Sequence, residues 1–355
     1  MLNHRLKKSQ EIIREKSLDC FLFSSPSNVF YLSGFSSSNA YVILTPEEGY
    51  FLTDGRYYEG AKEKITHLEV VLIKKLSDGI KQIFQDLNIK KVGFEKDKVS
   101  VSFYEKLKSD FPDIQFEGFD GFLNDVRMVK SEEEIEIIRD AVIKTDKIFS
   151  KILDNINFFD TELSVRRKIV DLIFEEGGTS ESFPAIVATG KNSAIPHHET
   201  SLTKIEKNSP LLIDMGMKLK GYCSDFTRTF FIGKPHQKLI DIYNVVKEAH
   251  LEAVSVVKAG IQIKEIDLKA RSVIEKYGYG EYFIHSTGHG IGIDIHEEPR
   301  IYKDNEDILK ENTVFTIEPG IYIPNLGGVR LENIVVARKN SAELLTQTPL
   351  DLIVV

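Results

Sequence analysis

Four acidic side chains stand where short apolar runs would otherwise be unbroken. Asp214 closes Leu211-Leu212-Ile213, and Asp225 interrupts the stretch from Tyr222 to Ile232. Glu318 follows Thr313-Val314-Phe315-Thr316-Ile317, and Glu332 lies inside Val329-Arg330-Leu331-Glu332-Asn333-Ile334-Val335-Val336. Between the two pairs comes His285-Ser286-Thr287-Gly288-His289-Gly290-Ile291-Gly292, followed by Ile295-His296-Glu297. Ionised carboxylates inside strands lose hydration and repel one another, at a cost of several kcal/mol each. If the four converge, cations must accompany them, and two divalent ions balance the charge. Oxygen-rich ligation with an imidazole suits Mn²⁺ or Co²⁺ and accommodates Zn²⁺, and no thiolate cluster is present to build a structural zinc site. Two such ions roughly 3.5–4 Å apart can generate a nucleophile from water at neutral pH. Spare histidines could then move protons and stabilise a tetrahedral intermediate.

Period-two patterning says how these groups would be presented. Leu211 to Gly216 reads as a buried strand, Lys218 to Gly221 as a turn, and Tyr222 to Ile232 as a returning strand. Alternation puts Asp225, Thr227 and Thr229 on one face of that strand, so Asp214 and Asp225 are expected neighbours across a hairpin. Arg330 and Glu332 likewise share a face. Taken singly, each acidic residue is as easily a strand-end or surface group; order and spacing together make the set a ligand set. Cys223, between the ligand-bearing runs, reads as a small core residue. Gly288 to Gly292 contains a GxGxG, but it lacks the strand and helix that a nucleotide loop requires.

Helical patterns must carry these strands. Ser131-Glu132-Glu133-Glu134 fits a capping box, and Ile135, Ile138, Val142, Thr145 and Ile148 recur behind it at helical spacing. A second helix is expected over 161–176, ended by Gly177-Gly178. A third runs from about Gln237 to Lys258 with Gly260 as its stop, and a fourth over 263–276. Two helix–helix–strand units in succession predict an internally duplicated domain with a pseudo-two-fold axis. Ahead of it, strands are expected at Cys20–Ser24, Tyr41–Leu44, Tyr50–Thr53, Val70–Ile73 and Val92–Glu95. Helices are expected over 1–19, 76–88 and 100–109, with a turn at Pro46-Glu47-Glu48-Gly49. The expected organisation is α+β, a mixed α/β domain over 1–125 followed by the duplicated domain over 126–355.

A chain of 355 residues with 42% hydrophobic and 28% charged residues can build two ordinary cores. Its net charge of −8 argues against nucleic acid and anionic membranes as partners. No stretch of about 18 apolar residues occurs, so no membrane span is expected. The charged start lacks the apolar core of a secretory signal. Two distant cysteines, Cys20 and Cys223, cannot staple such a chain, and a cytoplasmic location is the simpler expectation.

These blocks together resemble the "pita-bread" metallopeptidase family, M24, whose members include methionine aminopeptidase, prolidase and Xaa-Pro aminopeptidase. The resemblance covers nearly the whole chain. It implies Asp214, Asp225, His289, Glu318 and Glu332 as ligands of two metals, with Asp225 and Glu332 bridging. Asn192-Ser193-Ala194-Ile195-Pro196-His197 resembles the block supplying a catalytic histidine in proline-specific members; His285 and His296 match two further histidines that contact substrate, and Arg330 an arginine that holds the region in place. Asn28 to Phe35 and Thr53-Asp54-Gly55-Arg56-Tyr57 resemble the extra N-terminal domain of creatinase, prolidase and Xaa-Pro aminopeptidase, and 127–131 resembles the inter-domain junction. The doubled His197-His198 departs from the pattern; His197, directly after Pro196, takes the role, and His198 reads as a bystander with His4, His67, His236 and His250. The function implied is hydrolysis of the Xaa-Pro bond at the N-terminus of peptides. The alternative is a dipeptidase (prolidase), and a remoter one an inactive binding module. A creatinase-like hydrolase without metals is disfavoured by the complete ligand set. A homodimer is implied by the resemblance alone.

Overall fold

Alternating apolar runs in the first part of the chain assemble a six-stranded sheet, in the order Glu69–Leu72, Gly49–Thr53, Ala40–Leu44, Cys20–Phe23, Lys91–Glu95, Gln115–Phe119. The computed structural model describes residues 1–156 and 160–355, in two units, Met1–Val126 and Arg127–Val355. In the first unit the strands are β1 (Cys20–Phe23), β2 (Ala40–Leu44), β3 (Gly49–Thr53), β4 (Glu69–Leu72), β5 (Lys91–Glu95) and β6 (Gln115–Phe119). Its helices are α1 (Leu2–Glu15), α2 (Pro26–Ser33), α3 (Tyr58–Lys64), α4 (Leu76–Asp86) and α5 (Val101–Asp110); α6 (Asn124–Met128) runs across the boundary. The expected turn at Pro46–Gly49 joins antiparallel β2 and β3. Helix α2 starts where Ser25 caps Asn28 N, and it ends on Gly34 in the left-handed region at φ 71°.

The second unit opens on α7 (Glu132–Asp154), whose capping box is complete: Glu134 N donates to Ser131 Oγ at 3.3 Å and Ser131 N to Glu134 Oε2 at 2.9 Å. Such a cap is worth about 1 kcal/mol. After α8 (Glu162–Glu175) come β7 (Ser180–Glu181), β8 (Ile186–Thr189), β9 (Ser209–Met215), β10 (Met217–Leu219), β11 (Tyr222–Cys223) and β12 (Phe226–Ile232). Helices α9 (Gln237–Ser255) and α10 (Lys264–Lys276) precede β13 (Gly288–Gly290), β14 (Glu297–Ile301), β15 (Val314–Ile317), β16 (Gly320–Ile323), β17 (Gly327–Arg330), β18 (Asn333–Ala337) and β19 (Ala342–Leu344). Each helix pair has its own core. The inward faces of α7 and α8 pack Ile148, Phe149, Val165 and Ile169 against Val187, Leu211, Ile213 and Phe230. Those of α9 and α10 pack Ile242, Val246, Ile266 and Ile274 against Phe315, Ile317, Val329 and Val335. The two helix–helix–strand halves expected from sequence are both present.

Several details differ from the sequence reading: of the turn expected over Lys218–Gly221, Lys218 and Leu219 belong to β10 and only Lys220-Gly221 turn. Helix α9 ends at Ser255, short of Gly260, because the chain turns away to other partners: Ala259 N donates to Arg338 O and Gly260 N to Leu309 O. The ligand-bearing runs are also not continuous strands. The run 222–232 breaks at Ser224-Asp225, between β11, which pairs with β10, and β12, which pairs with β9. The run 329–336 breaks at Leu331-Glu332, between β17, paired with β16, and β18, paired with β15. Apolar alternation continues across both breaks, so it registers burial and not a change of ladder partner.

Candidate metal centre

Three of the four acidic residues occupy places where the chain leaves one ladder for another. Asp225 lies between β11 and β12, Glu318 between β15 and β16, and Glu332 between β17 and β18; Asp214 is the penultimate residue of β9. At such breaks the side chain is freed from strict up-and-down alternation, and groups from different sheets can turn toward one point. Backbone bonds pin the breaks: Glu318 N donates to Thr287 O at 2.7 Å and Glu332 N to Thr227 O at 3.1 Å. His289 sits in β13 at a register shift between His289 and Gly290.

The structure brings Asp225, His289 and Glu332 together, with one ligand atom from each lying within 4.8 Å of the others. His289 Nε2 is 3.5 Å from both Asp225 Oδ2 and Glu318 Oε1. Asp214 and Glu318 lie outside that group of three; Asp214 comes from β9, its Oδ2 accepting from Arg330 NH2 at 2.5 Å. Asp214, Asp225 and Glu332 are buried. Burial first, then the fields of Asp214 and Glu318, hold the Asp225 carboxyl well above its ordinary range. Burial, Asp225 and Glu318 do the same to Glu332, and burial raises Glu318. Two oxygens in this cluster, Asp214 Oδ1 and Glu332 Oε1, are buried without any hydrogen-bond partner. Buried polar atoms are rarely left so. A donor set of four carboxylates and an imidazole, with orphaned oxygens and with three carboxyls raised first by burial and then by neighbouring carboxylates, fits divalent cations.

Around this cluster runs a hydrogen-bond chain in which His285, Arg330 and Glu332 were expected from sequence and the hydroxyl links between them were not. Arg330 NH1 donates to Tyr322 Oη at 2.9 Å, and that hydroxyl lies 2.8 Å from His285 Nε2. Arg330 Nε reaches Thr227 Oγ1 at 3.2 Å, and Thr227 Oγ1 donates to Glu332 Oε2 at 2.7 Å. Burial raises the Tyr322 hydroxyl to about 12. His285 is pushed down to about 4 by burial and then by the Arg330 charge, so its ring is neutral at neutral pH. Its carbonyl is held by Arg271 NH2 at 3.0 Å, and Arg271 is paired with the buried Asp267. His296 stacks edge-on against His289 with ring centroids 4.4 Å apart. Burial, then the neighbouring His289 and His197, lower its affinity for a proton. His197 is itself exposed, in the loop after the 3₁₀ turn 190–194, near both His285 and His296.

Tyr322 and Thr227 were missed as functional groups. The one available signal was their alternation with Gly320 and Thr229, which any core strand shares. His198, read as a bystander, is a structural partner: its Nε2 is 2.9 Å from Glu162 Oε2. His250 is fully buried on α9 and, like Cys223, lies outside the ligand set. No helix among the described residues is long and apolar enough to cross a membrane.

Comparison with known proteins places this arrangement. Residues 136–339 match the model described as metallopeptidase family M24, and residues 5–129 match the creatinase/prolidase N-terminal domain. A protein of Pyrococcus horikoshii named Xaa-Pro dipeptidase is 38% identical, covering 99% of both chains. Among solved structures, the Xaa-Pro dipeptidase from Bacillus anthracis superposes with a TM-score of 0.96 at 35% identity, covering 100% of both chains. The X-Pro aminopeptidase from Thermotoga maritima gives 0.92 at 35% identity, covering 98% of this chain and 100% of its own.

Proposed function

We propose, on the premise that this chain belongs to metallopeptidase family M24, that it hydrolyses the bond between a residue and the nitrogen of a following proline, with Xaa-Pro dipeptides as its leading substrates. Membership of the family makes it a peptidase and implies divalent metal ions. The observation that carries the rest of the reading is the convergence of Asp225, His289 and Glu332, with Asp214 and Glu318 beside them, in a protein whose full-length relatives are named Xaa-Pro dipeptidases. In this reading those five residues hold two ions, Mn²⁺ or Co²⁺ in preference to Zn²⁺. When bound, the ions supply a water activated at neutral pH and a Lewis acid for the scissile carbonyl.

The remaining work falls to the chain's own side chains. Proline's nitrogen carries no N–H in the peptide and must gain a proton to leave. Glu318, or a neighbouring histidine, can take up the proton released by the attacking water and deliver it there. His285, neutral and backed by the Tyr322 hydroxyl, offers its ring to the substrate, and His197 and His296 approach from exposed positions. Arg330 keeps Asp214 and Tyr322 in register. Cleavage of N-terminal residues from longer peptides is a second reading, favoured by the whole-chain likeness to an X-Pro aminopeptidase. A homodimer and a cytoplasmic location belong to the same reading, the latter fitting two buried free thiols.

The test is hydrolysis of Ala-Pro and Ala-Pro-Ala by chelator-stripped protein, with Mn²⁺, Co²⁺ and Zn²⁺ restored separately. Metal-dependent cleavage of Ala-Pro is expected. Preference for the tripeptide would move the assignment to the aminopeptidase, and cleavage of neither would overturn it.

A further inference from the structure

The loop from Thr189 to Ser201 is gathered onto one carboxylate. Glu162, the first residue of α8, is fully buried, and its only ion-pair partner among the described residues is His198. Its Oε1 accepts from Thr189 N at 3.0 Å and Asn192 Nδ2 at 2.9 Å. Its Oε2 accepts from Ser201 N at 3.1 Å and Ser201 Oγ at 2.8 Å, and lies 2.9 Å from His198 Nε2. All five donors come from the loop. Burial works against the ionised form, but the bonds from Asn192, His198, Thr189 and Ser201 outweigh it and hold the carboxyl below its ordinary value. Glu162 is therefore a carboxylate at neutral pH, fully satisfied and with every bond spent on one segment.

That segment carries His197. Its ring is exposed and makes no hydrogen bond among the described residues, so its position depends on its backbone. On one side the carbonyl of Pro196 accepts from Arg330 NH1 at 3.3 Å; on the other, the ring of His198 is anchored to Glu162. We infer that Glu162 and His198 are positioning residues, a buried carboxylate–imidazole pair that fixes where the free imidazole of His197 is presented to the peptide. This rests on the reading of His197 as a group that contacts substrate. With Nε2–H donated to Glu162, the adjacent histidines divide the labour: the second is committed to the protein so that the first can stay free. An error of about 1 Å at a reacting group can cost on the order of 100-fold in rate.

The experiment compares His198→Ala, His198→Gln, Glu162→Gln, His197→Ala and the double variant His197→Ala/His198→Ala on metal-loaded protein, with bound metal measured in each. His198→Ala is expected to lower kcat about 10- to 100-fold, with KM and metal content unchanged. His198→Gln, which keeps an N–H donor, should recover most of the loss. Adding His198→Ala to His197→Ala should cost nothing further, because the pair acts through one ring. Additive losses, or a fall in thermal stability with kcat intact, would overturn the inference. A second readout needs no activity: in chelator-treated ¹⁵N-histidine protein the His197 ring resonances should shift or broaden in Glu162→Gln and His198→Ala but much less in His198→Gln, and unchanged resonances in the first two would refute the positioning role. Wild-type protein that cleaves neither peptide would sink the peptidase reading instead, leaving the resonance test to decide this one.

Discussion

Thr227 does more at this centre than its hydroxyl suggests. Its Oγ1 donates to Glu332 and accepts from Arg330 Nε, so one atom aims a carboxylate and steadies the guanidinium that holds Asp214. Groups behind metal ligands typically matter by about 10- to 100-fold in affinity. Thr227→Val keeps the shape and removes both bonds. It should raise the dissociation constant for Mn²⁺ by about that factor, as measured by calorimetric titration; wild-type affinity would show that Glu332 needs no such guide. The four candidate carboxylates stood out in the sequence because a carboxylate in an apolar run is an anomaly that demands a cation, whereas His289 and the ligand set as a whole were implied by the family resemblance. Tyr322 and Thr227 were not, because hydroxyl-bearing residues in strands are ordinary and their partners lie far away in sequence. His198 failed differently: a histidine next to a better candidate looks redundant until its buried partner, Glu162, is seen.

Among the elements, the close approach of β13 to β15 sets the spacing between His289 and Glu318. Gly288 permits it: a Cβ there would lie 1.9 Å from Thr316 O, a backbone atom that cannot step aside. Gly288→Ala must push the strands apart. We expect a loss of about 1–3 kcal/mol in stability, read by denaturant unfolding, together with weakened metal binding; a variant as stable and as tightly loaded as the wild type would show that the ladder yields at no cost. The helices and strands that were read carry small boundary errors because their apolar periods are strong, whereas the short α2, α3, β6 and β8 went unread, being too brief to display a period. The sheet breaks at Asp225 and Glu332 went unread because burial continues through them while the hydrogen-bond partner changes, and periodicity reports only burial. These breaks are what allow the ligands to face one another.

For the molecule as a whole, the centre couples stability to both protons and metal. In the metal-free protein the Asp225, Glu318 and Glu332 carboxyls lie above their ordinary values, so the folded state holds more protons than the unfolded one. Stability of the metal-free protein therefore falls as pH rises toward those folded values. Divalent ions take the place of the protons, so their stabilising effect grows with pH; at 100 times the dissociation constant an ion adds about 2.7 kcal/mol. The gap in Tm between metal-loaded and chelator-treated protein should thus be wider near about pH 8 than near about pH 5.5. An equal gap, measured by scanning calorimetry, would mean that the carboxyls do not repel one another when the ions are gone. The duplicated architecture extends this. Each half of the second unit closes over its own core and contributes two of the four carboxylates, and the halves meet where Thr227 touches Glu332 and Thr229 touches Arg330. Without ions, and at a pH high enough to ionise those carboxyls, two intact bodies face each other across a line of like charge, and the least costly relief is for that line to part while neither core melts. Amides of 226–232 and 327–333 would then exchange with solvent first, and a protease would find the empty protein before the loaded one. Metal supply would in this way govern how long the chain persists as well as what it can cleave.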